Sequence, residues 1–201
     1  MSDTRATADW LAPERAELAA QRILDIAEQM FIEKGVSMVT MRDIASAAGC
    51  SRATLYRYYP GKSEVLAAYV DRAATELGAA IAAAVRHEPD AGARLVAAVT
   101  TAVDGVRSNP ALSAWFVSDA AARSANLALL SPAIEEIAVE FLGDIAPDVD
   151  PTQRRDRARW VVRVILSLLT SPGETAADER VMLERFVVPV VTTAGARVPR
   201  G

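Results

Sequence analysis

The sequence predicts an all-α protein in two parts, and three observations carry that prediction. Apolar residues recur at helical spacing along most of the chain. No run alternates with the period of two that a half-buried strand requires. Breaker clusters such as Glu88, Pro89 and Asp90, then Ser108, Asn109 and Pro110, then Pro172 and Gly173, divide the chain into helix-length segments. The expected architecture is an N-terminal three-helix helix-turn-helix domain over residues 13–62. A long helix joins it to a C-terminal helical domain over 63–201.

Taken in order, residues 1–12 are polar and irregular and are read as a flexible arm. Pro13 suits a first helical turn, and Leu18, Ile23, Ile26, Ala27, Met30 and Phe31 repeat at helical spacing until Gly35 ends the segment. Thr40 with Asp43 forms a capping-box pattern that opens a short helix, and Ser51 is a natural N-cap for the next. Ile44, Ala45 and Ala48 face inward on the first of these and Leu55 on the second. Gly49 takes the positive φ of the bend, and Ala45 is small where the second helix crosses it. The spacing of a helix-turn-helix from Thr40 to Lys62 follows. Its second helix displays Arg52, Ala53, Thr54, Tyr56, Arg57 and Tyr58, a mixture of cationic, hydroxyl and aromatic groups that suits a DNA major groove.

Beyond Gly61, Val65, Leu66, Tyr69, Val70, Ala73, Leu77 and Ile81 mark one face of a long helix reaching about Val85. Further helices are expected from Ala91 to about Arg107, around Leu112, Trp115 and Phe116, and from Ser131 and Pro132 to Ile145. Two more run from Asp150 to about Thr170 and from Thr175 to about Thr193. The last two are apolar around nearly their whole circumference, which demands cover on both sides. A second copy is the expected cover, through Ile165, Leu168, Leu169, Phe186, Val187, Val190 and Val191.

The run RILDIAEQMFIEKG followed by TMRDIASAAGCSRATLYRYYPGKSEVL resembles the DNA-binding domain of TetR-type transcriptional regulators from about Gln21 to about Leu66. It departs from the family pattern at Cys50 and Gly61, where a branched aliphatic and a side-chain cap are usual. The resemblance implies that Arg52, Thr54, Tyr56 and Arg57 reach base edges and nearby phosphates, with Arg42, Ser51 and Ala53 beside them. Thr40, Tyr58 and Lys62 are expected as phosphate anchors, since helix N-termini and a first-turn Lys attract anions. It also implies an effector pocket among the middle helices, for which Tyr69, Trp115, Phe116, Asp119, Arg123, Asn126, Phe141 and Trp160 are the candidates. Dimerisation through the last two helices fits the same family.

Charge and composition bound the alternatives. The formal charge of −4 speaks against general nucleic-acid binding, yet between Thr40 and Lys62 the sign reverses: Arg42, Arg52, Arg57 and Lys62 stand against Asp43 alone. A single Cys excludes an intramolecular disulfide, and no run is long and apolar enough to span a bilayer, so a cytoplasmic location is expected. His87, the one histidine, has no partners at metal-ligand spacing, and neither metal nor cofactor is expected. An enzyme is disfavoured because nucleophile-base pairing, a phosphate loop and a cofactor box are all missing. The expectation is a homodimeric repressor released from a palindromic operator by a small apolar or amphipathic effector. An activator or an effector-free DNA binder is the alternative.

Overall fold

The computed structural model describes residues 12–117 and 128–193. Every described element is helical. In order they are α1 (Ala12–Lys34), α2 (Met41–Ala47), α3 (Arg52–Tyr58), α4 (Lys62–Val85), α5 (Ala91–Ser108) and α6 (Pro110–Val117). They continue with α7 (Pro132–Ile145), α8 (Pro151–Thr170), α9 (Ala176–Met182), a π-helical turn (Leu183–Val187) and α10 (Val188–Thr192). The chain forms two compact units, Met1–Ala68 and Tyr69–Gly201, and the division falls inside α4.

In the first unit, α1 buries Ile23, Leu24, Ala27, Met30 and Phe31, and Val39, Ile44, Ala45, Leu55 and Val65 join them. Leu18, expected on this face, is instead 65% exposed. It precedes Ala27 by nine residues, two and a half turns at about 3.6 residues per turn, and so lies on the opposite side of the helix. Tyr59 closes the unit: its ring is buried and its hydroxyl donates to the Ala20 carbonyl at 3.2 Å.

In the second unit, α5 packs against α8, the π turn and α10, while α7 packs against α8. Leu95, Val96, Val99 and Val103 on α5 share one core with Leu142, Val161, Leu168, Leu183, Val187 and Val191. This corrects the expectation for the C-terminal helices. Leu168, Val187 and Val191, expected in a subunit interface, lie in the core of their own chain at 5%, 2% and 0% exposure. The inner side of α8 is covered by α5 and α7, and that of the last segment by α5, whereas Val181, Phe186 and Val190 of the last segment are exposed within the described chain.

The expected helix ends are present as side-chain caps: Asp90 on α5, Ser131 on α7, Asp150 on α8 and Thr175 on α9 each accept from a first-turn amide. The last segment differs from a uniform helix. Val188 N–H donates to the Leu183 carbonyl, one residue wider than an α-helical bond. Pro189 follows directly; it lacks an N–H and its ring crowds the carbonyl four residues back, which favours local widening of the helix. Arg107 fastens α5 to the last turn of α8 and to α9. Its guanidinium makes a bidentate pair with Glu179, at 2.7 and 3.0 Å, and also donates to the Leu168 carbonyl at 3.0 Å.

Candidate nucleic-acid interface and effector cavity

The helix-turn-helix is set by its caps. Asp43 N–H donates to Thr40 Oγ1 at 3.3 Å, and Thr40 returns both its amide, at 3.0 Å, and its hydroxyl, at 2.6 Å, to Asp43 Oδ2. The side-chain bond from Thr40, and then its backbone bond, hold the Asp43 carboxyl below the usual carboxylate range. Gly49 sits at φ 65°, where a side chain would be strained, and Cys50 N–H returns to the Ala45 carbonyl at 3.0 Å. Ser51 Oγ then accepts from Thr54 N–H at 3.0 Å and starts α3.

With Leu55 fully buried, α3 exposes Arg52, Ala53, Tyr56 and Arg57, which recur at helical spacing on one face. Thr54 and Tyr58 flank it half-buried, and the Arg57 guanidinium lies 5.3 Å from the centre of the Tyr58 ring. Arg42 is exposed on α2. Two expected phosphate anchors have other partners. Thr40 gives both its donors to Asp43. Lys62 Nζ donates to the Val36 carbonyl at 2.6 Å and the Ser37 carbonyl at 3.5 Å, which ties the start of α4 to the turn after α1. Nothing in the sequence marked those carbonyls as acceptors.

The second unit holds a half-open cavity of ≈ 160 Å³ whose described lining is entirely apolar. Leu77 and Ile81 of α4, Ile134, Ile137 and Phe141 of α7, and Val162 and Ile165 of α8 shape it. Small residues make the room: Ala73, Ala74 and Gly78 on α4 and Ala98 and Ala102 on α5 leave the helices apart where larger side chains would fill the gap. Of the eight expected effector residues Phe141 alone is among the described lining. Tyr69 is buried with its hydroxyl donating to Asn109 Oδ1 at 3.4 Å, and Trp160 is 44% exposed on the surface of α8. Asp119, Arg123 and Asn126 lie outside the described residues, as do the side chains of Trp115 and Phe116. Ile165 and Leu169, expected in the interface, are half-buried and line the cavity. Aromatic side chains drew the expectation toward the middle helices, whereas the alanine-rich face of α4 was the informative signal.

Comparison with known proteins bears on both parts. Residues 23–69 match the family model of bacterial regulatory proteins, tetR family. An uncharacterized HTH-type transcriptional regulator of Mycobacterium tuberculosis is 46% identical over 191 residues, covering 95% of this chain and 94% of the relative. Among solved structures, the TetR family repressor AlkX from Dietzia sp. strain DQ12-45-1b, implicated in biodegradation of n-alkanes, superposes with a TM-score of 0.66. It is 22% identical over 86% of this chain and 94% of its own. RolR in complex with resorcinol gives the same TM-score of 0.66 at 15% identity, covering 94% of this chain and 98% of its own.

Proposed function

This chain belongs to the TetR family of bacterial transcriptional regulators, and from that premise we propose that it is a repressor acting as a homodimer on a palindromic operator. A small uncharged apolar molecule in the cavity of the second unit then releases it. The observation that carries the reading is the pairing of a cationic, exposed α3 face with a cavity whose described lining is all apolar. The first offers guanidinium and phenol groups to base edges and phosphates. The second excludes charged ligands by desolvation and favours hydrocarbon by the area it buries.

Support for the dimer comes from the exposed apolar side chains Trp160, Val181, Phe186 and Val190 on α8 and the C-terminal segment, whose neighbours toward the core are already covered. A two-fold pair presents two recognition helices to two related half-sites, about 34–36 Å or a multiple of that apart. Support for the release comes from α4, one continuous helix that begins at Lys62 in the first unit and carries Leu77, Gly78 and Ile81 of the cavity wall. An effector that binds one arrangement of that helix more tightly than another shifts the population, and DNA must weaken effector binding by the same factor. RolR's complex with resorcinol is in keeping with a small uncharged effector.

The experiment is a footprint of the purified protein on DNA upstream of its own gene, repeated with fractionated metabolites. Protection of an inverted repeat that is lost with an apolar fraction is the expected result. Protection indifferent to every fraction would leave a DNA binder without an effector. No protection of any sequence would remove the operator reading.

A further inference from the structure

Two glycines let the neighbouring helices close on α4 where it walls the apolar cavity, one at Leu77 and one at the residue after it. Gly105 of α5 makes the first approach: a Cβ added there would overlap Leu77 Cδ1, well inside van der Waals contact. Its φ is not positive, so the backbone does not call for glycine, and glycine within a helix costs stability relative to alanine. What the missing side chain provides is a seat for Leu77. Gly105 is itself absent from the described lining, whereas Leu77 belongs to it. Gly78 makes the second approach: a Cβ added there would stand 3.2 Å from Ile137 Cδ1 of α7. That contact separates the cavity from a second, wider one of ≈ 470 Å³ along the same two helices.

On the reading that the apolar cavity takes the effector, we infer that Gly105, by seating Leu77 from behind, sets the size of that cavity, and that the effector is a compact single-ring hydrocarbon. The size follows from the volume, since ≈ 160 Å³ is about the capacity that admits benzene elsewhere. The class follows from the lining. A hydroxyl carried into the cavity would give up its hydrogen bonds to water and meet only apolar side chains among the described residues. The role of Gly105 follows from what a side chain there would do. Leu77, half-buried, would have to leave its seat, and turning into empty apolar space buries methyl groups that turning outward would expose. Gly105 is thus a positioning residue that reaches the effector through Leu77.

The test is calorimetric titration of the full chain with toluene, phenol and naphthalene, in wild type, Gly105→Ala, Leu77→Ala and the double variant, with helicity checked in each. Phenol is toluene with its methyl exchanged for a hydroxyl, and it should bind wild type at least about tenfold more weakly. Naphthalene should bind wild type no more tightly than toluene in spite of its larger apolar area, and Leu77→Ala should raise its affinity about tenfold. Gly105→Ala should weaken toluene at least about tenfold, a loss that disappears when Leu77 is already alanine. A merely structural role for Gly105 would give the same loss in both backgrounds. Should Gly105→Ala alone lose helicity, Leu77→Ala and the double variant still carry the comparison: equal toluene affinity upholds the seat, and a further loss overturns it. Toluene indifferent to Gly105→Ala, weakened equally in both backgrounds, matched by phenol, surpassed by naphthalene in wild type, or not bound at all overturns the inference. No DNA enters these titrations, which keeps the two readings apart. Toluene that binds by these rules but leaves operator affinity unchanged sinks the effector assignment alone. Failure of these rules, in a protein still released from its operator by another apolar molecule, sinks the present inference alone.

Discussion

Ser131 Oγ donates to Asp71 Oδ1 at 2.5 Å while the same oxygen accepts from the Ile134 amide at 3.2 Å. One buried hydroxyl therefore caps α7 and fastens it to α4, the two helices whose side chains wall both cavities. A cap alone satisfies a local amide; this one also fixes the distance between two walls.

Ser131→Ala removes both bonds and leaves the Asp71 carboxylate without this donor. The loss should be about 1–3 kcal/mol, combining an N-cap with a charge-assisted bond. For a chain of this size that lowers the melting temperature by several degrees. Ser131→Thr keeps the hydroxyl and should stay close to wild type. Thermal unfolding of the two variants decides it; equal melting temperatures for Ala and wild type would mean the bond contributes nothing in solution.

On the recognition helix, Tyr56→Ala and Arg57→Ala should each weaken operator binding by about 1–3 kcal/mol while leaving the fold intact, because both side chains are exposed around a buried Leu55. Lys62→Ala should behave differently. Its ammonium holds the Val36 and Ser37 carbonyls, so its removal should lower thermal stability along with DNA affinity. Titration of a mapped operator beside a melting curve separates the two kinds of variant. A Lys62→Ala protein that melts like wild type and loses only salt-dependent affinity would return this residue to phosphate contact.

The exposed C-terminal side chains make a matching contrast. Phe186→Asp and Val190→Asp should give folded, soluble monomers, since 61% and 55% of these side chains are exposed within one chain. Leu168→Asp and Val187→Asp should instead fail to fold, because a lone carboxylate in that core is buried without a partner. Sedimentation with circular dichroism reads both outcomes. A stable dimer from both Phe186→Asp and Val190→Asp would move the interface elsewhere.

These contrasts mark where sequence reasoning reached and where it stopped. Local features were legible: Thr40, Ser51, Ser131, Asp150 and Thr175 act as the expected caps because capping is decided within three residues. The buried Leu55 and the positive φ of Gly49 were equally local. Which side of an all-apolar helix meets the core was not legible, because that depends on the distant α5. Leu168 and Phe186 therefore read alike in sequence and differ in burial. The cavity was hidden for a related reason: it arises from small side chains on α4 and α5 meeting each other, and aromatic residues gave no guide to it. The Lys62 and Arg107 contacts to carbonyls required backbone positions that side-chain patterns do not encode.

Arg107 and Glu179 carry the last prediction, a dependence of stability on pH. The Glu179 carboxyl is held below its ordinary value first by the Arg107 hydrogen bonds. Burial opposes the shift, and the Gly173 amide, donating at 3.0 Å, adds to it. A carboxyl whose pKa is lower in the folded chain than in the unfolded one stabilises the fold above its unfolded value. That contribution falls away as pH drops through the folded value. Stability contributed by this pair is therefore complete at neutral pH and lost in acid, below the ordinary carboxylate range. Glu179→Gln should cost about 1–3 kcal/mol at pH 7, since Arg107 is 36% exposed and water replaces part of what it loses. The difference in melting temperature between Glu179→Gln and wild type should stay constant from pH 7 to about pH 5 and shrink as the pH falls further, past the ordinary carboxylate value of about 4.3. A difference still constant below about pH 5 would show that Glu179 acts through packing against the segment between α8 and α9, and that its charge plays no part.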